Sequence, residues 1–480
     1  MINSSVQLKS ITIQNFKNVI YGRVDLCNNK KKPIDTVLAL YGQNGSGKTA
    51  LIQALELFHD LAYGMPIRQE FCDFINVNAA YAQLDFEFQI VRNNTNIYSV
   101  FYSCKIRANE TNNNENSIEK RIEIFDEIIS YSYKDDNTSI KKTKLIDTSI
   151  PPVSKTLEAF QPKTKYRSLV GNDIKIRDDL RITKGIMTET SRSFIFSHNF
   201  IKIIQERLNE KNSNEEVKKA AFILQRLTFY AQQELFVVTT RDSALLGQNA
   251  LPFSFKITEK KEEFTTIHAG KIRININTPS KIDINLQDII TMAFKKMNIT
   301  LNAIIPNMSV DVHELGKSLS KTGQEQVTIE IVSLKNKKPI PLRYESEGIK
   351  KIVSILSLMI GLYNQRSMTV AIDELDSGIF EYLLGEFLKI ISNKAKGQLI
   401  FTSHNLRPLE TIDRSFIAFT TTDPKNRYFR QKNIRDTNNL RDFYFRNIVL
   451  GNNEPKLYDA TDNAAISLAL RQSGDIGEIK

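Results

Sequence analysis

Eight residues, Gly42 to Thr49, read Gly-Gln-Asn-Gly-Ser-Gly-Lys-Thr. Glycines at this spacing let backbone N–H groups turn inward and approach phosphate oxygens closely. A helix that starts directly after them presents its positive end to the same charge. In such a loop Lys48 reaches the β- and γ-phosphates of a nucleotide, and the Thr49 hydroxyl ligates Mg²⁺. The candidate nucleotide-contacting residues are Gly42, Asn44, Gly45, Ser46, Gly47, Lys48, Thr49 and Ala50. A second group of reactive side chains closes an apolar run, Thr369-Val370-Ala371-Ile372-Asp373-Glu374. An acidic residue that ends a buried strand lies at the carboxyl edge of the sheet, where nucleotides bind. Asp373 is placed to hold the Mg²⁺ shell, and Glu374 to orient or polarise an attacking water. The same Asp-Glu pair would also serve as the cap that opens the next helix.

These residues need elements to hold them. Asp35 to Leu40 is an apolar run suited to a strand covered on both faces, and it leads straight into the glycine loop. Leu51, Leu55, Phe58 and Leu61 then recur at helical spacing. Leu8–Phe16, Tyr81–Ile90 and Ile97–Arg107 alternate as half-buried strands do, and Asp25 and Leu26 point to a second short strand. Lys141 to Lys165, rich in lysine and holding Pro151, Pro152 and Pro162, reads as irregular, and Asn112 to Asn116 as a turn. His198 to Leu235 has a helical pattern broken at Asn212 to Asn214, and Leu235 to Thr239 is a short strand. Phe253 to Ile284 alternates, Leu286 to Ile304 is helical, and Glu325 to Arg343 forms a hairpin turning at 336–338. Gly348–Tyr363 and Gly378–Asn393 are amphipathic helices, between and after which Ser367–Asp373 and Gly397–Ser403 are buried strands. Strands alternating with helices predict a mostly parallel sheet covered on both faces. No fixed-period repeat or sustained heptad occurs, so a long coiled-coil arm is not expected.

Sixty-five Lys and Arg against 54 Asp and Glu give a formal net charge of +11, a balance that suits a polyanion such as nucleic acid. It equally describes a solvated basic surface. Cys27, Cys72 and Cys104 are too few and too scattered for a disulfide framework or a zinc site. The opening Met1 to Lys9 has no apolar stretch of a secretory signal, and no run is long enough to span a bilayer, so a cytoplasmic location without membrane attachment is expected.

Taken with their context, these motifs resemble the ABC-type P-loop ATPases. Within them the chain is similar to the branch shared by structural-maintenance-of-chromosomes, RecF and OLD proteins. Asp373-Glu374-Leu375-Asp376-Ser377-Gly378 looks like the Walker B strand end followed by the D-loop, with Asp376 as the D-loop aspartate. Ile400-Phe401-Thr402-Ser403-His404 looks like the strand that ends in the switch histidine, and Glu345 to Lys351 stands where the signature motif belongs. Ser346 and Gly348 match the family's serine and glycine, although that serine also suits a helix N-cap, and His404 a strand end. The Glu-Ser-x-Gly form departs from the transporter pattern and resembles the AAA-15 or OLD-like group. Ile13 to Asn18 and the tail Asn439 to Leu450 look similar to the ends of abortive-infection ATPases of that group, PARIS-type systems included.

The resemblance implies an α/β fold: an ABC-type ATPase head with a mixed, largely parallel sheet plus a helical insertion lobe. Residues 1–110 and 321–480 would form the head, and 111–320 the insertion. It implies ATP and Mg²⁺ as cofactors, Glu374 and His404 as catalytic residues, and Thr49 and Asp373 at the metal. Ser346 and Gly348 would reach the nucleotide of another copy, so that two or more copies close around ATP, and Asp376 of the D-loop would also contact nucleotide. The activity implied is ATP hydrolysis by a sensor or scaffold subunit of an anti-phage system. Its partner would be a separate effector such as a toprim-like nuclease, and its trigger nucleic acid or a phage protein. The alternative is a RecF- or SMC-like DNA-repair ATPase. After His404 too little chain remains for an OLD-type nuclease domain, and Asp459 with Asp462 is only a weak acidic pair. Gln83 and Gln89 are the candidates for the family's Q-loop glutamine.

Overall fold

The computed structural model describes residues 4–26, 34–93, 95–112, 118–149, 158–260, 265–320, 322–336, 338–430, 440–450, 455–458 and 462–474. In chain order the first elements are β1 (Ser4–Phe16), β2 (Val19–Asp25), β3 (Val37–Tyr41) and α1 (Lys48–Tyr63). Four strands follow: β4 (Ala82–Arg92), β5 (Asn96–Asn112), β6 (Ile118–Lys134) and β7 (Ser139–Asp147). Next come α2 (Lys163–Val170), α3 (Ile174–Glu189), α4 (His198–Leu208), α5 (Glu215–Gln233), β8 (Leu235–Val238) and α6 (Thr240–Gly247). β9 (Ala250–Lys260), β10 (Thr265–Asn275), β11 (Ser280–Asp283), α7 (Ile284–Ile304), β12 (Met308–Leu319), β13 (Glu325–Lys335) and β14 (Lys338–Pro341) continue. The chain closes with α8 (Glu347–Asn364), β15 (Thr369–Ile372), α9 (Glu381–Lys394), β16 (Gln398–Thr402), α10 (Pro408–Thr411), β17 (Ile417–Thr420), β18 (Tyr428–Phe429), α11 (Leu440–Leu450) and α12 (Asn463–Gly474).

The apolar runs build a sheet in the order β18-β17-β3-β16-β15-β8, parallel throughout except for the β17–β18 pair. Every residue of β3, β15 and β16 is buried, as strands with both faces covered must be. Alternating strands form a second, antiparallel sheet, β2-β1-β4-β5-β6-β7. The helix α1 lies between the two sheets. Its Phe58 ring sits 4.8 Å from Phe88 and 5.0 Å from Phe86 of β4, while Leu51, Leu55 and Leu38, Leu40 and Ile400 share the same core. α5 joins that core through Leu224, Leu227 and Tyr230. The opposite face of the parallel sheet is covered by α8, α9 and Tyr444 of α11. A third core joins Phe253, Phe294 and Ile329 to Val353 and Leu356 of α8, which is therefore buried on two sides.

Position 110 falls inside the β5–β6 hairpin and position 320 inside the β12–β13 hairpin. The structure departs from the sequence expectations of local structure in two places. The lysine-rich stretch read as irregular holds a regular edge strand, β7, paired to β6. The second strand ends, rather than begins, at Asp25. Cys27, Asn113 to Asn116, Pro151, Pro152, Asn439 and Asp459 lie outside the described residues. Among the described residues the longest helix is α7 with 21 residues, and no helix is long and apolar enough to cross a membrane.

Candidate nucleotide site

The loop between β3 and α1 is bent by its glycines. Gly45 and Gly47 adopt positive φ of 73° and 93°, and Gly47 is the N-cap of α1. That left-handed region costs any residue with a Cβ, which explains glycine there. Gly42 answers to space instead, since a Cβ on it would lie 1.8 Å from Thr420 Oγ1. β17 and β18 brace the loop from behind. The Ser46 and Thr420 hydroxyls bond each other, and Tyr428 OH donates to Gly47 O at 2.9 Å. Arg427 donates to Asn18 O at 2.6 Å and to Thr421 O at 2.7 Å.

Above the loop lies a cavity of about 480 Å³ lined by Lys17, Asn18, Asn44 to Ala50, Asp373, Glu374, Thr402 and His404. Lys48 is buried and its ammonium donates to Gly42 O at 2.7 Å and Gln43 O at 2.9 Å. Burial lowers its pKa to about 8, against the opposing pull of Asp373, Glu374 and Asp376. The ammonium therefore caps carbonyls of its own loop and is available to a stronger anionic partner.

Across the cavity Asp373 is 1% exposed. Its Oδ1 accepts from Thr402 Oγ1 at 2.6 Å and, more distantly, from Thr49 Oγ1 at 3.4 Å. Its Oδ2 is buried with no hydrogen-bond partner among the described residues. A buried carboxylate oxygen left unpaired is costly and calls for a cation. No group of three or more His, Cys, Asp or Glu that could enclose a metal occurs among the described residues. Mg²⁺ needs no such cage, because it keeps waters and takes one or two carboxylates plus substrate phosphates. Thr49 and Asp373 fit that mode. Glu374 follows in the left-handed region at φ 50°, with its N–H donating to Thr402 Oγ1 at 2.7 Å.

His404 stands at the cavity rim, and its pKa is lowered, first by partial desolvation of the ring against the cavity wall and then by Lys48. Its backbone N–H and that of Asn405 both donate to Asp376 Oδ2, at 3.0 and 2.9 Å. Asp376 thus holds the histidine loop of its own subunit and is not part of the cavity wall. Ser346 caps α8, accepting from Ile349 N at 3.4 Å, and Gly348 packs so tightly on the D-loop-like segment that a Cβ would lie 2.0 Å from Gly378 O. Neither residue lines the cavity. Gln83 and Gln89 do not line it either; the Gln83 amide donates to Asp85, and Gln89 pairs with Gln7 across the β1–β4 ladder.

Sequence reasoning passed over Lys17, Asn18 and Thr402 as site residues. The first two follow the Asn-Phe opening, where Asn15 and Lys17 take φ of 52° and 54° and turn β1 into β2 beside the loop. Asn18 Nδ2 donates to Gly45 O, and Lys17 Nζ to Gln53 Oε1 at 2.6 Å. The signal was the pair of polar residues at a tight turn, but only the β1–β2 register brings them to the cavity.

Comparison with known families matches residues 37–410 to the model described as "AAA domain, putative AbiEii toxin, Type IV TA system". The chain belongs to this family. It carries an AAA domain, and the match spans both the glycine loop and the histidine strand. Among solved structures it is similar to the SMC head domain from Thermotoga maritima, at 13% identity, 89% coverage of this chain, 100% of that chain and a TM-score of 0.36. The Pyrococcus furiosus Smc head domain bound to the C-terminal domain of ScpA gives 11% identity, 88% and 96% coverage and 0.36. RecF bound to ATP gives 13%, 83% and 93% coverage and 0.33. Scores this low decide nothing about the arrangement of this family member. A comparison with curated proteins gives no significant match.

Proposed function

We propose that this AAA-family chain binds ATP with Mg²⁺ in the glycine-loop cavity, hydrolyses it, and uses the bound state to assemble copies that control a separate effector. The observation that carries this reading is the unpaired, buried Oδ2 of Asp373 facing a cavity that also holds Lys48. One wall lacks a cation and the other offers an ammonium, which is the arrangement a metal-bound polyphosphate satisfies at once. Lys48, Lys17 and the N-terminus of α1 would bind and orient the phosphates. Thr49 and Asp373 would hold Mg²⁺, whose contribution when bound is to offset phosphate charge. Glu374 would orient and accept a proton from the attacking water, and His404 would sit at the terminal phosphate.

Ser346, Gly348 and Asp376 stand away from their own cavity, which supports completion of the site by another copy. ATP then acts as interface material whose hydrolysis loosens the assembly. The description of the family as including a putative toxin of a toxin–antitoxin system supports the defence reading: a sensor or scaffold in an abortive-infection system, acting on a separate toprim-like nuclease or other toxin. The trigger would be nucleic acid or a phage protein. The formal net charge of +11 favours a second reading, a DNA-binding repair ATPase of the RecF or SMC kind.

Glu374→Gln is the test. It should leave ATP binding intact, stop turnover and trap an ATP-loaded oligomer that mass measurement detects. Lys48→Ala should lose ATP binding. Normal turnover by Glu374→Gln removes the assignment of Glu374, and an ATP-loaded chain that stays a monomer removes the shared site. Protection against phage lost in both variants favours the defence role; DNA-stimulated turnover that fades steeply with salt favours the repair role.

A further inference from the structure

Two adjacent lysines of α8, Lys350 and Lys351, are both buried, at 5% and 2% exposure. An ammonium taken from water must be compensated, and a lysine kept for packing alone is better replaced by an apolar side chain. Lys350 ends on Asn249 Oδ1 at 3.1 Å. Lys351 does something different. Its Nζ donates to Ser243 Oγ of α6 at 2.6 Å and reaches the backbone carbonyl of Glu374 at 3.4 Å. Four carboxylates, Glu374, Asp376, Asp242 and Asp373, pull on this charge electrostatically, yet none pairs with it directly.

The carbonyl it reaches belongs to a residue with unusual backbone. Glu374 is non-glycine in the left-handed region, a conformation that persists only where the surroundings over-determine it. Its N–H is fixed by Thr402 Oγ1. On the carbonyl side Glu374 O accepts from Ser377 N within its own turn at 3.1 Å, and Lys351 is the one donor that reaches it from another element, at 3.4 Å. One turn earlier on the same helix, Gly348 lies against the Gly378 carbonyl at the far end of the segment that begins with Asp373. The start of α8 therefore touches both ends of this segment.

We infer that Lys351 is a positioning residue for Glu374, holding the strained Glu374 peptide so that a displacement of the Ser346–Gly348 helix start is passed to the carboxylate in the same subunit. This rests on the proposed hydrolysis at Glu374 and adds the link between the shared-site segment and the attacking water. Lys351 does not line the cavity; it acts through the Glu374 backbone.

The test uses the full chain carrying Lys351→Met, Lys351→Arg or Ser243→Ala, and reads ATP dissociation constant, turnover and thermal melting together. Lys351→Met should lower turnover about tenfold or more while ATP affinity stays within about twofold, because misplacing a reacting group by less than an ångström is enough. Lys351→Arg should restore part of that loss. In a Glu374→Gln background Lys351→Met should change the residual rate by less than about twofold, as expected for residues acting as one unit. If Lys351→Met does not fold, Ser243→Ala, which removes the 2.6 Å anchor at a partly exposed position, should still lower turnover at unchanged affinity. Parental turnover in both Lys351→Met and Ser243→Ala overturns the assignment alone. So does a loss in which rate, affinity and melting fall together, or one additive with Glu374→Gln. A parent chain without Lys48-dependent turnover overturns the hydrolytic reading and this inference with it.

Discussion

The ammonium of Lys48 should make ATP binding depend on pH in a range where an ordinary lysine would not. Its pKa falls from 10.5 to about 8 because the side chain is buried between its own loop carbonyls and the acidic strand end. Only the ammonium form can receive phosphate. In the free chain that form makes up about 90% of the population at pH 7, half at pH 8 and about 10% at pH 9, from the titration of a single group. Bound phosphates favour the charged form and raise the pKa again, so binding near pH 8 takes up about half a proton. The sign follows: affinity is full below the free-state pKa and falls as pH rises through it. From pH 7 to pH 9 the dissociation constant should rise about tenfold. Equilibrium binding of ATP measured in EDTA isolates the lysine from any metal, and a range above pH 7 leaves the terminal phosphate ionised, its last pKa being about 6. Calorimetry in buffers of different ionisation enthalpy counts the proton. Lys48→Arg, charged throughout, should bind with a flat profile even if more weakly. A flat profile in the parent, or an equal decline in Lys48→Arg, would refute the reasoning.

Two further perturbations follow from the geometry. Gly348→Ala places a methyl 2.0 Å from Gly378 O, so the start of α8 must move off the D-loop-like segment by more than an ångström; ATP binding by the single chain should stay within about twofold while turnover and ATP-loaded assembly fall about 10–100-fold, and parental assembly by mass measurement would contradict it. Glu127 is buried and accepts from Tyr102 OH at 2.8 Å, Ser193 Oγ at 2.5 Å and the N–H groups of Phe194 and Ile195 at 2.8 and 3.4 Å; Glu127→Leu strands these donors and should cost about 3–5 kcal/mol in urea unfolding, with Glu127→Gln costing less, and equal stability of the leucine variant would overturn this account.

The parts of the site that were legible in sequence are those whose chemistry and position are both local. The Asp35–Leu40 run, the glycine loop and the Leu51-Leu55-Phe58-Leu61 spacing declare a strand, a turn and a helix in succession, and each declaration concerns neighbours in the chain. The Asp373 strand end and the His404 strand are legible for the same reason, because a strand buried on both faces is a continuous apolar run. Thr402 was not, since nothing local distinguishes a threonine that satisfies packing from one whose hydroxyl serves Asp373 and Glu374, 29 and 28 residues away. β7 was misread because an edge strand is only partly buried: Ser139 to Lys144 are mostly exposed and lysine-rich, while Leu145, Ile146 and Asp147 are buried. The hairpins that cross positions 110 and 320 were not legible from local pattern, because a sheet recruits strands by pairing and not by contiguity.

The hydrogen bonding around Asp373 and Glu374 also shows how the two acidic residues are linked. A single hydroxyl, Thr402 Oγ1, donates to Asp373 Oδ1 and accepts from Glu374 N. The carboxylate proposed for the metal and the peptide of the proposed water-orienting glutamate therefore share one anchor. Neither can be displaced without disturbing the other, so occupancy at Asp373 bears on Glu374 through a 2.6 and a 2.7 Å bond. On the far side Lys48 donates to its own loop, and Asp373 Oδ2 has no hydrogen-bond partner among the described residues. Each deficit is of the kind that only an exogenous anion with its cation removes together. A phosphate without a cation would leave the acidic wall unpaired, and a cation without phosphate would leave Lys48 on the carbonyls. The pairing of the two deficits, rather than either motif alone, is what supports the proposal of a metal-bound polyphosphate over a simple anion.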